Sequence, residues 1–156
     1  MLRRHRRRLP LALVVVVVVV GCGGSPASGD DAERDASGEI VTAGRVGTQA
    51  LQVGDCFDEP ADEGVQVVDA VPCTSPHDAQ MVGRVPVVGD DAWPGAEGLG
   101  AEATERCVLS ARLVLDDDLP PGVSLSAYVP DERSWEAGDR DIVCFVEGEL
   151  VGDLTR

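Results

Sequence analysis

His77 is the residue of this sequence best suited to acid–base chemistry, and Asp78 follows it directly. The only other histidine is His5, so histidine-based catalysis in the rest of the chain would have to use His77. In a catalytic triad an acid orients the imidazole. Asp78 is badly placed for that role, because consecutive residues of an extended segment point to opposite sides. No G-x-S-x-G motif occurs either. We expect His77 and Asp78 to form hydrogen bonds in a turn after Cys73. The alternative is a hydrolase that uses His77 and nearby carboxylates.

Four of the five cysteines could form crosslinks: Cys56, Cys73, Cys107 and Cys144. An even number of cysteines in an exported chain predicts two disulfides. Three pairings are open, and the sequence alone does not choose among them. We prefer Cys56 with Cys73 and Cys107 with Cys144, because the second pair joins the inward faces of a predicted helix and a predicted strand. A zinc site is the alternative, but spacings of 17, 34 and 37 residues include no close pair, so no metal is predicted.

Two tryptophans and one charged pair are further candidates for binding. Trp93 and Trp135 stand in loop-like contexts, where a tryptophan either anchors a partner or fixes a loop onto a small core. Asp139 and Arg140 are expected to pair within a turn. The acidic triplet at 116–118 has no EF-hand spacing and is predicted to be a solvated helix end. The chain has no lysine, which excludes a Schiff-base lysine and a P-loop lysine, and no cofactor is predicted.

The fifth cysteine, Cys22, ends a stretch with the layout of an export signal. Residues 1–8 contain five arginines and no acid, and an apolar run follows at 11–20. Ten helical residues cover about 15 Å of a bilayer core that is about 30 Å thick, so this run cannot span it. It ends in Val19, Val20, Gly21 and Cys22, which resembles the lipobox of bacterial lipoproteins. We expect a signal peptide at 1–21 and acylation of Cys22, for example by palmitate. Ordinary cleavage and an uncleaved anchor are the alternatives.

The charge of the chain excludes most nucleic-acid functions. The sequence carries 13 basic and 28 acidic residues, for a formal net charge of −15. Five of the 13 basic residues lie within 1–8, so cleavage would leave 8 arginines against 28 acids, a charge of −20. Such a chain repels nucleic acids and anionic lipid headgroups. Attachment to a membrane would therefore depend on the lipid on Cys22.

Composition and hydrophobic periodicity divide the rest of the chain into two parts. Residues 22–49 are rich in glycine, serine, alanine and acids, and we expect a flexible tether there. Residues 50–156 are expected to form one folded domain. Predicted strands lie at 65–71, 80–88, 123–129 and 141–146, and the second is expected near a sheet edge because of Pro86. A helix is predicted at 94–115, and the EGE at 147–149 is expected to reverse the chain into a short last strand. The predicted fold is α+β, with a small sheet of about five strands packed on one main helix and stabilised by two disulfides.

Several segments together resemble one known family. They are VGDCF at 53–57, VDAVPCTSPHDAQ at 68–80, WPGAEGL at 93–99, Cys107 within the predicted helix, and SWEAGDRDIVCF at 134–145. In order and spacing they look like the septum formation domain of actinobacterial envelope proteins. All 13 basic residues are arginine, which suggests a GC-rich genome and agrees with that source. The resemblance implies a small extracytoplasmic, disulfide-bonded domain linked to division or wall synthesis, and it brings no catalytic residues with it.

These observations together predict a lipid-anchored binding or scaffold module on the outer face of the plasma membrane. Its expected partner is another envelope protein or a wall component, and no enzymatic activity is predicted. The alternative remains a cell-wall-active hydrolase that uses His77 and nearby carboxylates.

Overall fold

The structure is a computed structural model that describes residues 31–60, 66–89, 92–115 and 119–155. The predicted signal peptide, Cys22 and the triplet at 116–118 lie outside the described residues. The described elements are β1 (Glu33–Arg34), β2 (Ile40–Thr42), β3 (Gly44–Gly47), a short 3₁₀ helix (Thr48–Ala50), β4 (Cys56–Asp58), β5 (Val67–Val71), β6 (Pro76–Pro86), α1 (Ala96–Val114), β7 (Ser124–Tyr128), α2 (Glu132–Glu136) and β8 (Asp141–Val151).

The main sheet has six antiparallel strands in the order β3-β5-β4-β6-β8-β7, and β1 pairs with β2 separately. Its two longest strands are β6 and β8, of 11 residues each, which pair from Pro76 opposite Val151 to Pro86 opposite Asp141. Both strands are covered on both faces, so much of their length is continuously apolar. The mixed class with one main helix is confirmed, whereas the prediction of about five strands was too small.

The long helix α1 covers one face of the sheet, where it packs against β6, β7 and β8. Its buried residues recur every four positions, as predicted for 94–115: Leu99, Ala103, Cys107 and Ala111. The helix approaches β6 closely at Gly83, where an added Cβ would lie 2.5 Å from the Cβ of Ser110. No helix within the described ranges is long and apolar enough to cross a bilayer.

The opposite face of the sheet carries an aromatic core. The ring centres of Phe57 and Phe145 are 5.6 Å apart, and those of Tyr128 and Phe145 are 4.5 Å apart. Ile40 and Leu51 belong to the same buried cluster, so the segment before β4 covers this face. The domain is therefore layered as helix, sheet and amino-terminal segment.

The tether predicted for residues 22–49 is wrong from residue 31 onward. Arg34 forms a two-pronged ion pair with the buried Asp55, with N···O distances of 2.6 and 2.5 Å. Ile40 is only 3% exposed. The backbone of Ala32 passes so close to Gly44 that any side chain at position 44 would collide with it. Its composition is that of a solvated segment, but one arginine and one isoleucine hold it against the sheet, so residues 31–49 are part of the fold together with the domain predicted from residue 50.

Two strand predictions also need correction. Pro86 does not mark an edge strand, because β6 lies between β4 and β8. It is the last residue of β6, so its missing N–H falls at the end of the ladder. The EGE at 147–149 does not reverse the chain, since β8 continues to Val151 and places Leu150 opposite His77.

Two disulfides crosslink the domain in the preferred pairing. Cys56 is bonded to Cys73 beside β4, and Cys107 of α1 is bonded to Cys144 of β8. The loops they close span 17 and 37 residues. By loop-closure entropy these bonds stabilise the fold by about 3 and about 4 kcal/mol.

The carboxyl-terminal tail is fastened by the amide of Gln80, which is fully buried in β6. Its Nε2 donates to the carbonyl of Gly54 at 3.0 Å and to a carboxylate oxygen of Asp153 at 2.5 Å. Its Oε1 accepts the backbone N–H of Leu154 at 2.8 Å. The backbone N–H of Gly152 also donates to the carbonyl of Cys73, so the tail is fixed beside the first disulfide.

Candidate functional site

His77 lies at the start of β6, and its imidazole forms a hydrogen bond with the turn after Cys73, as predicted for it. It is the second residue of β6, is 3% exposed, and has its Nδ1 2.8 Å from the carbonyl oxygen of Ser75. Its Nε2 is buried and has no hydrogen-bond partner among the described residues. Asp78 is the next residue of the strand and is exposed, so it points away from the imidazole. The two residues therefore do not form a catalytic pair.

Trp135 is an internal support of α2, which agrees with the second of the two roles considered for it, fixing a loop onto the core, and not with an exposed anchor. The side chain is 3% exposed, and the Arg140 guanidinium lies 3.8 Å above the centre of its ring. Arg140 also donates to the backbone carbonyls of Trp135 and Asp139, at 2.6 and 2.8 Å. Arg140 therefore contacts Asp139 through its backbone and not through its carboxylate. Trp93 is half-buried, and its indole Nε1 has no partner among the described residues.

A hollow with four carboxylates opens on the Tyr128 side of the sheet, and we call it the acidic hollow. Its volume is about 370 Å³. The carboxylates that line it are those of Glu59, Asp131, Asp139 and Asp141. Arg84 lies 3.4 Å from the Asp141 carboxylate, so one of the four charges is partly balanced. Within the described part of the chain, no histidine, cysteine or acidic side chains form a cluster suited to a metal ion.

Negative charge is concentrated around Tyr128. The Tyr128 hydroxyl donates to a carboxylate oxygen of Glu59 at 3.2 Å. Burial, together with the charges of Glu59 and Glu147, raises the pKa of Tyr128 well above its usual value. Burial and repulsion from Glu147 and Asp78 likewise raise the pKa of Glu59. A cation placed in the hollow would relieve this repulsion.

The other face of β7 borders an apolar groove, and we call it the α1–β7 groove. Its volume is about 400 Å³. One wall is formed by Ala103, Cys107 and Val108 of α1, and the other by residues of β7 and Val129. The disulfide from Cys107 to Cys144 ties the α1 wall to β8, the strand next to β7. Ala127 and Val129 line both the groove and the acidic hollow, so the two recesses meet at β7.

Comparison with known families gives a match. The family model described as "Septum formation" matches residues 20–144, which is more than half of the chain. The chain belongs to the septum formation family. This confirms the resemblance found in the sequence and associates the chain with cell division or the envelope. Neither the comparison with curated proteins nor the comparison with solved structures found a match.

The septum formation match contains both disulfides, the acidic hollow and the α1–β7 groove. It begins at residue 20, close to Cys22, so the family region includes the amino-terminal segment that packs on the sheet. It ends at Cys144, in the middle of β8. Beyond the matched residues, β8 continues to Val151 and the tail is held by Gln80.

Among the residues singled out from the sequence, only Asp139 lines the acidic hollow. The other candidates, among them His77, Trp93 and Arg140, do not line this hollow. The sequence did not reveal that Glu59 joins Tyr128 and Asp131 in one site, because Glu59 lies 69 positions before Tyr128 and the folded sheet brings them together. The one available signal was the alternation at 123–129, which correctly predicted a two-faced strand but not its position at the end of the sheet.

Proposed function

We propose that this chain is a binding or scaffold module of the bacterial cell envelope, anchored by a lipid on Cys22 to the outer face of the plasma membrane. In this role it holds another envelope protein or wall component at sites of septum formation or wall synthesis. Support comes from membership of the septum formation family and from the position of two recesses on either side of one strand, β7. Paired recesses of opposite character suit recognition of a ligand that is itself two-faced.

The lipid anchor is supported by charge as well as by the sequence before Cys22. The anchored chain, without residues 1–21, carries 8 arginines against 28 acids, a charge of −20, and is repelled by anionic headgroups, so its attachment would depend on the lipid. Each buried methylene of an acyl chain contributes about 0.8 kcal/mol, and stable attachment needs more than one chain. Metabolic labelling with an alkyne fatty acid tests the anchor directly. The wild-type chain should be labelled and sediment with membranes, while Cys22→Ala should be unlabelled; an unlabelled wild-type chain would refute this part of the proposal.

The hydrolase alternative has little support from the geometry around His77. A general base must reach the proton that it abstracts, but this imidazole is buried in β6 and Asp78 faces away from it. The deciding assay is turnover of purified peptidoglycan by the wild-type chain and by His77→Gln. Turnover that is lost in His77→Gln, with folding intact, would establish the enzyme.

Crosslinking in intact cells tests the binding role. A photo-crosslinking side chain in place of Val108, which borders the α1–β7 groove, should capture one envelope component in a saturable manner. The matched control replaces Val41, which is 52% exposed on β2, and should not capture that component. Equal capture at both positions, or no capture at either, would contradict a binding function at this surface.

A further inference from the structure

The edge of β7 is the open end of the main sheet. On one side β7 pairs with β8, from Ser124 opposite Glu147 to Tyr128 opposite Val143. Among the described residues no strand pairs with its other side. At the far end of the sheet, β3 is met by a bridge from Asp31 to Arg45. In an antiparallel ladder alternate residues direct their N–H and C=O groups away from the partner strand, so the outer edge of β7 presents unpaired backbone groups.

β7 also lacks the devices that usually block an edge strand. Its sequence, SLSAY, contains no proline and no charged residue. Prolines stand outside it, at Pro120, Pro121 and Pro130. The prolines limit the length of the strand, and none of its five residues prevents another strand from pairing with its outer edge.

Side chains of a strand added beside β7 would alternate between the two recesses. Within β7 itself, Leu125 and Ala127 pack toward the α1 side, whereas Tyr128 packs with Phe57 and Phe145 on the opposite side. A neighbouring strand in the same sheet has the same period of two. Its alternate side chains would therefore enter the α1–β7 groove and the acidic hollow in turn. The first set of positions requires apolar side chains and the second requires cationic ones.

We propose that β7 binds an extended segment of a partner protein as a seventh strand, and that this segment alternates apolar residues with arginine or lysine. This inference rests on the proposed binding function and specifies its ligand. Five residues of added strand, about 17 Å long at about 3.3 Å each, would match β7. Backbone hydrogen bonds to the edge supply affinity, and the two recesses select the side chains.

Charge complementarity favours this occupant over a second copy of the chain. Pairing of two β7 edges would bring together two molecules that each carry a net charge of −15 and a hollow lined with Glu59, Asp131 and Asp139. A cationic segment instead removes the repulsion that surrounds Glu59. Like-charge contacts suppress the wrong partner, and opposite charges set the register of the right one.

The test uses synthetic peptides and the full chain with Cys22→Ser, purified in a mild detergent. Three capped hexapeptides are compared by titration calorimetry: alternating Val-Arg, its block isomer with three valines followed by three arginines, and alternating Val-Glu. The alternating Val-Arg peptide should bind roughly tenfold more tightly than its block isomer, and alternating Val-Glu should not bind. Its affinity should fall as salt increases. Equal affinity for the two isomers would mean simple charge attraction and would overturn the inference.

Variants of both molecules locate the site without changing the core. N-methylation of alternate peptide amides should abolish binding if the backbone pairs with β7. In the chain, Val108→Arg should weaken binding of the Val-Arg peptide, whereas Val41→Arg on the other side of the molecule should not. Sedimentation that shows a homodimer, dissociated by Val108→Arg, would overturn the inference in favour of a second copy. If no peptide binds while the Val108 crosslink in cells persists, the strand-addition mode fails and the proposed function stands.

Discussion

Arg34 is the residue that most clearly distinguishes a folded amino-terminal segment from a tether. Its guanidinium is bonded to both carboxylate oxygens of Asp55, which also accepts the backbone N–H of Gln52 at 2.7 Å. Asp55 is buried, so removal of its cation leaves a charge with incomplete compensation. The sequence offered no reason to connect these residues, since they lie 21 positions apart.

Replacement of Arg34 by methionine tests this ion pair. Arg34→Met should lower the free energy of unfolding by about 2 kcal/mol, because the Asp55 carboxylate stays buried. The matched control is Arg45→Met at an exposed position of β3, which should change stability by less than about 0.5 kcal/mol. Urea denaturation measures both. Equal changes in the free energy of unfolding for the two substitutions would contradict the conclusion that the amino-terminal segment packs on the sheet through Arg34.

Glu59 gives the acidic hollow a measurable pH dependence. Its pKa is raised in the folded protein by burial and by repulsion from Glu147 and Asp78. The protonated form is thus favoured by folding, and the corresponding stability is present at low pH and is lost as pH rises through the raised pKa. At pH 7 the ionised Glu59 is a net cost, so Glu59→Gln should be stabilising there. The gain should be less than about 1 kcal/mol, because the carboxylate is only partly buried and solvent screens its charge.

The measurement for Glu59 is the difference in unfolding free energy between wild type and Glu59→Gln at two pH values. The variant should have the advantage at pH 7, and the advantage should shrink as the pH falls toward 4. A difference of the same size at both pH values would show that Glu59 titrates as it does in the unfolded chain.

At the scale of elements, the sequence predicted what depends on local periodicity. The stripe at Leu99, Ala103 and Cys107 predicted α1, and that inward face in turn supported the pairing with Cys144. The sequence did not predict the order of the strands, because strand order depends on contacts between segments that are distant along the chain. Thus β4, three residues long, has no periodicity to detect, although it carries Cys56 and Phe57 into the core.

The contact between α1 and β6 depends on one glycine. Gly83→Ala places a methyl group against the Ser110 side chain, which is anchored on the helix and cannot swing aside at its Cβ. Overpacking of this kind is expected to cost about 1–3 kcal/mol in thermal or urea unfolding. A double-mutant cycle with Ser110→Gly should show favourable coupling.

Gly98→Ala is the control for the helix contact. Gly98 is exposed on α1, and a Cβ there would meet only Pro94, at an ordinary distance of 3.7 Å. Gly98→Ala should stabilise the protein by about 0.5–1 kcal/mol, because alanine has a higher helix propensity than glycine. A destabilisation of equal size at both glycines would argue against the close approach at Gly83.

For the whole molecule, the question is how much of the fold depends on residues 31–49. A chain starting at residue 31 retains Arg34 and Ile40, whereas a chain starting at residue 51 loses both. Ile40 alone stabilises by about 2–3 kcal/mol when buried, which is a large share of a typical total of about 5–15 kcal/mol. The chain starting at residue 31 should have the same midpoint of urea unfolding as the full chain. The chain starting at residue 51 should unfold at a clearly lower urea concentration. Identical urea midpoints for the chains starting at residues 31 and 51 would mean that residues 31–49 add nothing to the stability of the fold, as expected of a flexible tether.

The tail held by Gln80 has a consequence for how the molecule is degraded. A carboxypeptidase needs a few residues of free, extended backbone at the chain end to reach each peptide bond. Here the amides of Leu154 and Gly152 are already bonded to the Gln80 side chain and to the Cys73 carbonyl. A carboxypeptidase that reaches Leu154 must break interactions of the folded domain, so digestion should stall there for as long as the sheet remains intact.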